Sequence, residues 1–282
     1  MAAYVINCKE IAKKIREELS KKAKQYEDIN GQKICLATII VGKDPASLSY
    51  VKNQEKVCIE TGLKFITYEL SEDTSEEDLI ELIKKLNDDS SVHGILVQVP
   101  LPKHIDENKI AGIIDVNKDV DCFNPINVGK LYRGEKCLLP CTPKGILRIL
   151  KEMNIEIRGK KVAVVGRSNI VGKPIAALML HNDATVTICH SKTENLKEIL
   201  LNSDIIISAV GKPKLITEDM IKEGAVIVDA GTTLVDGKLV GDVDFENVLN
   251  KASMITPVPG GVGSMTTTML IENVLEAANI YG

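Results

Sequence analysis

Tryptophan is absent from the chain, and aromatic residues make up only 3% of it. Proteins that grip single-stranded nucleic acid stack bases on such side chains, so their scarcity argues against that partner. A basic excess is missing as well: 35 Lys and Arg face 39 Asp and Glu, for a formal net charge of −4. Without that excess there is little to neutralise a phosphate backbone, and no nucleic-acid partner is expected. No apolar run approaches the roughly 20 residues of a membrane span; Ile34–Val41 is among the longest. The opening residues, MAAYVINCKE, lack a basic stretch followed by an apolar one. No signal peptide is expected, and the chain reads as cytoplasmic. The seven cysteines are odd in number, scattered and without a C-x-x-C pair. Cys137 and Cys141 are four apart, but no second ligand pair follows. Reduced thiols and no metal are expected.

What is present is an alternation. The 282 residues suggest about two domains of roughly 150 residues each, and 44% hydrophobic with 26% charged residues fits an ordinary globular chain. Short β-branched runs at Ile34–Val41, Phe65–Leu70 and Gly94–Val99 read as strands. Helical patterns at Cys8–Glu27, Pro45–Glu60 and Ser75–Asn87 lie between them, the second opened by Asp44-Pro45 and the third by a Ser75–Asp78 capping pair. Further strands are expected at Val162–Val165, Thr185–Cys189, Ile205–Val210 and Val226–Asp229, and a last helix at Thr266–Ala278. Apolar strands alternating with helices imply an α/β fold with parallel sheets covered on both faces. Asp119–Pro143, rich in Asn, Pro, Gly and Cys, breaks the rhythm and is read as the domain boundary.

The sharpest local signal is KKVAVVGRSNIVGKPIA, Lys160–Ala176. A buried strand runs into a glycine turn and then a helix, the form of a Rossmann nucleotide site, with Ser168 where the second glycine usually stands. Gly166 permits the turn, and the helix N-terminus offers N–H groups to a pyrophosphate. At the end of the next strand an NAD site usually carries Asp or Glu for the ribose hydroxyls. Here His190-Ser191-Lys192-Thr193 holds no carboxylate, and Arg167 adds a guanidinium. A 2′-phosphate, and so NADP, fits better; incidental charges on a solvated loop are the other reading. Gly211 and Gly231 follow later strands, where a small residue lets a cofactor approach the backbone. Asp229 fits either a catalytic or a capping role.

Several longer motifs stand in order: Ser49-Tyr50-Val51, GILVQVPLP (94–102), KDVDCFNP (118–125), PCTPKG (140–145), GRSNIVGKP (166–174), HSKT (190–193) and TPVPGGVGSMT (256–266). With these the whole chain resembles the methylenetetrahydrofolate dehydrogenase/methenyltetrahydrofolate cyclohydrolase family. The resemblance implies two α/β domains around a cleft, the C-terminal one a Rossmann-type parallel sheet. Residues 1–120 would form the folate-binding catalytic domain and 140–265 the NADP-binding domain, with a helix at about 266–282 packing back on the first. It implies oxidation of 5,10-methylenetetrahydrofolate to the methenyl cation with NADP, followed by hydrolysis to 10-formyltetrahydrofolate. By matching positions, Tyr50 lines the folate rings, Gln98 contributes to the reacting centre and Asp121 binds the pterin edge. Pro259, Gly260 and Gly261 form a loop near folate, and Gly166, Arg167, Ser168, Ser191 and Thr232 hold NADP. A homodimer is also implied. Read bottom-up, Asp121 can accept two N–H bonds from such an edge or cap a turn. Gln98, polar in an apolar strand, needs a ligand or a backbone partner, and Tyr50 would ordinarily be a core residue of an amphipathic helix.

The chain departs from the family at Gln54. The family has lysine four residues after this tyrosine, on the same helical face. Lys56 is six residues on, roughly 120° away around the helix, and cannot substitute. A carboxamide has no titratable proton near neutrality, whereas hydrolysis needs proton movement. Hydride transfer needs alignment and charge stabilisation instead. The expectation is a dehydrogenase with cyclohydrolase weak or lost. The fully bifunctional enzyme and a non-catalytic NADP- or folate-binding module stand as alternatives. Cys122, where the family has Gly, adds a Cβ that is expected to exclude positive φ. Ser264 replaces a proline and so frees a fixed φ.

Overall fold

Alternating apolar runs and amphipathic stretches become alternating strands and helices in the computed structural model, which describes residues 2–281. In chain order the elements begin β1 (Tyr4–Val5), α1 (Cys8–Asn30), β2 (Cys35–Val41), α2 (Pro45–Glu60), β3 (Lys64–Leu70) and α3 (Glu76–Asp88). They continue β4 (Gly94–Val97), α4 (Glu107–Ile113), α5 (Pro125–Arg133), α6 (Cys141–Glu152), β5 (Lys161–Val165) and α7 (Gly172–His181). Then come β6 (Thr185–Cys189), α8 (Leu196–Leu201), β7 (Ile205–Ser208), β8 (Val226–Asp229), β9 (Thr233–Val235) and β10 (Lys238–Val240). The last are α9 (Phe245–Val248), β11 (Met254–Ile255) and α10 (Val262–Tyr281). The chain divides into two compact units, Lys14–Cys141 with Thr267–Gly282, and Met1–Lys13 with Thr142–Thr266.

The first of these carries a three-stranded parallel sheet in the order β3-β2-β4. All seven residues of β2 are buried, which is why the run reads as continuously apolar. Its Cys35, Ala37, Ile39 and Val41 pack with Leu79, Ile83 and Leu86 of α3. Ser75 caps α3, its side chain accepting from Asp78 N at 3.1 Å. The Lys118 ammonium donates to the carbonyls of Leu86, Asn87 and Asp89 at the other end of that helix, where a cation opposes the helix dipole. Helix α2 starts where Asp44 accepts from Ser47 N at 2.8 Å and Pro45 takes the first turn.

The second unit holds a six-stranded, all-parallel sheet in the order β1-β11-β8-β7-β5-β6. β6 and β7 flank β5 on opposite sides, so the strand order reverses at β5 and opens a crevice beyond the carboxyl ends. β9 and β10 form a hairpin across Asp236 and Gly237, both at positive φ, the turn that suits twisted strands. Ala163, Val165, Ile206, Ile227 and Ile255 centre the core.

Two expectations are corrected. The first thirteen residues join the second unit rather than the first domain: β1 pairs with β11, and Ile6 N donates to Ile255 O at 2.9 Å. The strand expected to reach Val99 ends at Val97, before the cis Val99–Pro100 bond. The segment 119–143, read as the domain boundary, does contain the point at Cys141 where the two units divide; within it Asn124 caps α5 by accepting from Ile126 N at 2.9 Å, and Gly134 closes that helix at φ 69. Among the described residues no helix is long and apolar enough to cross a membrane.

Candidate functional site

The nucleotide loop is built by β5, its glycine turn and α7. Gly166 sits at φ +128, and a Cβ there would lie 2.5 Å from Ala209 O. A Cβ on Gly172 would lie 2.3 Å from Gly166 O. Strand end, turn and helix therefore meet at a distance only glycine allows. Gly166→Ala is expected to cost about 2 kcal/mol or more through strain and overlap, read as a melting point lower by about 4–8 °C. Ser168 Oγ accepts from Val171 N and Gly172 N at 3.2 and 3.3 Å, which leaves its O–H as a donor. Arg167 is exposed. After β6 the chain folds into a turn in which His190 N donates to Thr193 Oγ1 at 2.8 Å and Lys192 N to His190 Nδ1 at 3.2 Å. His190 is thus a turn residue, while Ser191 and Lys192 remain exposed. Thr232 is exposed just beyond β8. The close main-chain approach and the cationic turn suit a dinucleotide bearing an extra phosphate, but the expectation that the N–H groups opening α7 are on offer is corrected: Ser168 takes them, Gly172 N through its Oγ and Lys173 N through its carbonyl at 3.0 Å.

Pro259, Gly260 and Gly261 belong to the same unit. Gly260 stands at φ +95, and a Cβ on Gly261 would lie 2.2 Å from Pro257 O. Ser264 N donates to Gly261 O at 3.0 Å, so the loop is closed by the first turn of α10.

Tyr50, Gln54, Gln98 and Asp121 come together in the other unit. Tyr50 and Gln54 lie one turn apart on α2. Gln98 follows β4, its N–H bonded to Ile39 O at 2.8 Å, and its side-chain Nε2 donates to Gln54 Oε1 at 3.1 Å. Its side-chain partner is a second carboxamide rather than backbone. Gln54 is 0% exposed, and its own Nε2 has no hydrogen-bond partner among the described residues. A buried donor without an acceptor is rare and calls for an explanation. Asp121 Oδ1 accepts from Cys141 N at 3.0 Å, the first residue of α6. Burial foremost pushes the Asp121 carboxyl up to about 6, and the Asp119 charge adds to it. Desolvation, then the charges of Asp121 and Cys141, hold the Tyr50 phenol above its ordinary range, while Thr267 and Gln54 pull the other way. Tyr50 is nonetheless 37% exposed, so it lines a recess rather than a core. The neighbouring Asp119 is spent on Phe123 N, Asn124 N and Asn127 Nδ2.

Cys122 keeps φ 58 despite its Cβ. The expectation that the side chain excludes this conformation is overturned, at a strain of roughly 1 kcal/mol. Sequence reasoning assigned no role to Cys141, Thr267 or Asn273. Thr267 Oγ1 accepts from Asn53 Nδ2 at 3.0 Å. Asn273 Nδ2 donates to Val120 O and Leu139 O, both at 2.7 Å, and so ties together the segments that carry Asp121 and Cys141. The PCTPKG motif marked the neighbourhood of Cys141; nothing in the sequence marked Asn273.

Family models match both parts of the chain. A model described as the tetrahydrofolate dehydrogenase/cyclohydrolase catalytic domain matches residues 6–121. Its NAD(P)-binding counterpart matches residues 140–281. The chain belongs to the tetrahydrofolate dehydrogenase/cyclohydrolase family. It is 55% identical to the bifunctional protein FolD of Clostridium novyi over 96% of this chain and 98% of that one. The solved bifunctional FolD of Campylobacter jejuni superposes with a TM-score of 0.97 at 47% identity, covering 99% of both chains. The Trypanosoma brucei methylenetetrahydrofolate dehydrogenase-cyclohydrolase, solved with NADP and an inhibitor, gives 0.95 at 39% identity, covering 99% of this chain and 98% of that one. Within this family the two clusters correspond to the two matched domains.

Proposed function

We propose that the protein oxidises 5,10-methylenetetrahydrofolate to 5,10-methenyltetrahydrofolate with NADP, and that its cyclohydrolase activity is weak or lost. One feature carries the second half: Gln54, a neutral and buried carboxamide, stands where the family resemblance implies a lysine. The enzyme works in the cytoplasm, as its opening residues and short apolar runs suggest, and as the homodimer that the family resemblance implies.

Asp121 accepts N–H bonds from the amino-pyrimidine edge of the substrate, and Tyr50 lines the ring system beside it. Gln98 holds Gln54 through its Oε1, which leaves the buried Gln54 Nε2 with unspent donors and adds no positive charge to the site. Oxidation turns a neutral carbon between two nitrogens into a cation. An ionised Asp121 and the absence of an ammonium at position 54 both favour that charge. Bound NADP supplies the acceptor of the hydride. Water addition to the cation needs a proton-transferring group of tuned pKa. The neutral amide of Gln54 does not supply one, and the Tyr50 phenol, raised above its ordinary range, is a poor base.

Arg167, Ser191 and Lys192 serve the 2′-phosphate in this reading. Arg167→Ala is expected to raise the KM for NADP by about 10–150-fold, the loss of one charge-assisted bond of roughly 1.5–3 kcal/mol. The weaker use of NAD should stay within about twofold. Steady-state kinetics with both nucleotides checks this, and an equal loss with NAD would remove the assignment. The relatives' names favour the bifunctional reading; assay of both half-reactions on one preparation separates the two.

A further inference from the structure

Two carboxylates away from the folate cluster are left without a role by this chemistry. Asp229 and Asp242 are 3% and 0% exposed. Asp229 ends β8; its Oδ1 accepts from Gly231 N at 3.0 Å and Asp242 N at 3.1 Å, and its Oδ2 from Val243 N at 3.0 Å. Asp242 accepts from Ser208 Oγ at 2.8 Å, Val210 N at 2.9 Å and Lys212 N at 2.7 Å. Six donors thus converge on two side chains, five of them main-chain N–H groups. The adjoining glycines are shaped to the pair. A Cβ on Gly231 would lie 2.2 Å from Asp242 Cγ, and one on Gly241 would lie 2.0 Å from Asp229 Oδ2.

What this pair holds is specific. Val210–Lys212 follows β7 and contains Gly211 at φ +67; Gly231 follows β8 and leads into Thr232. Both segments lie at the carboxyl ends of adjacent parallel strands, where open α/β sheets receive their ligands. Loops at such ends are ordinarily mobile. Here each is fastened from below by a buried anion that accepts its N–H groups. The Gly211 carbonyl in turn accepts from Thr233 Oγ1 at 3.0 Å, which joins the first loop to the residue after Thr232.

We propose that Asp229 and Asp242 are positioning residues for the nicotinamide nucleotide, setting the height of the main chain at Gly211 and Gly231–Thr232. This rests on the reading that the unit binds NADP. Ser208, reaching Asp242 by its hydroxyl, is the one side chain that completes the pair. Asp242→Asn turns one acceptor atom into a donor that faces N–H or O–H groups. Its expected effect is a rise of at least about tenfold in the KM for NADP, larger than the fall in kcat. The KM for methylenetetrahydrofolate should stay within about twofold. Ser208→Ala removes one of the six donors and keeps the rest, so it guards against a first variant that does not fold. It should raise the KM for NADP by about twofold to fivefold. Binding of NADPH, followed by its fluorescence, is measured beside the kinetics. If both variants bind NADPH as the parent does, or if the apparent kcat falls with the folded fraction while both KM values are unchanged, the pair is structural and the proposal is overturned. If the parent protein itself fails to bind NADPH, the nucleotide reading fails instead.

Discussion

Gln54→Lys raises the hydrolysis of 5,10-methenyltetrahydrofolate by about 10²–10⁴-fold over the parent protein, the usual contribution of a positioned proton-transfer group. Position 54 is 0% exposed, one helical turn from Tyr50. An ammonium placed there is partly desolvated, which lowers its pKa toward the working range, while the nearby Asp121 charge holds it up. These opposed effects are what tune a lysine for proton transfer near neutrality. Oxidation should change by less than about tenfold, because hydride transfer depends on alignment rather than on a proton donor at this position. A cation in the site also works against formation of the methenyl cation, so any change in oxidation should be a decrease. The variant should melt a few degrees lower, since the new charge is buried. Decay of the methenyl chromophore, corrected for the buffer reaction, is the readout. No gain in hydrolysis would show that position 54 does not limit it.

Asp121→Asn lowers kcat/KM for methylenetetrahydrofolate by about 10–150-fold at neutral pH, the loss of one charge-assisted bond of roughly 1.5–3 kcal/mol, because only one atom of the amide still accepts. Half of the amide also presents a donor to the donor edge of the substrate. The pH dependence separates this from a general loss of activity. Burial lifts the carboxyl from 3.8 to about 6. In the parent protein, kcat/KM should therefore fall as pH drops through about 6, as Asp121 takes up a proton and ceases to accept two bonds. In the asparagine variant this acid limb should vanish. Stability moves the other way. A carboxyl whose pKa is higher in the native state than in the unfolded chain stabilises the fold when protonated, and that contribution is gone once pH rises above about 6. At pH 7 the ionised side chain is a cost, so the variant should melt no lower than the parent. A variant that loses both activity and stability in step would point to a merely structural aspartate.

Parts of this were legible in the residue order because local physics decides them. Asp44 followed by Pro45 specifies the start of α2, and the structure has the helix at Pro45–Glu60 as expected. The same signal, Asn124-Pro125, opens α5 and went unread inside a segment judged by its composition. β1 could not be read, since two residues carry no periodicity and gain their place only by pairing with β11. At the site, Tyr50 and Gln54 are related by helical spacing, which a sequence displays. The Gln98–Gln54 contact spans 44 residues, and that between Asn273 and Val120 spans 153; neither follows from local pattern. Which of Asp119 and Asp121 stays available was equally hidden. It depends on three donors that fold back onto Asp119.

If a neutral residue at position 54 uncouples the two half-reactions, oxidation outruns hydrolysis in the unmodified protein. The most direct test is to measure both on one preparation of that protein: NADP-dependent oxidation of methylenetetrahydrofolate, and hydrolysis of the methenyl product. The expected result is robust oxidation with accumulation of the methenyl compound, its hydrolysis lying at least about 10²-fold below the rate of oxidation. Hydrolysis that keeps pace with oxidation, leaving no methenyl compound to accumulate, would contradict the account.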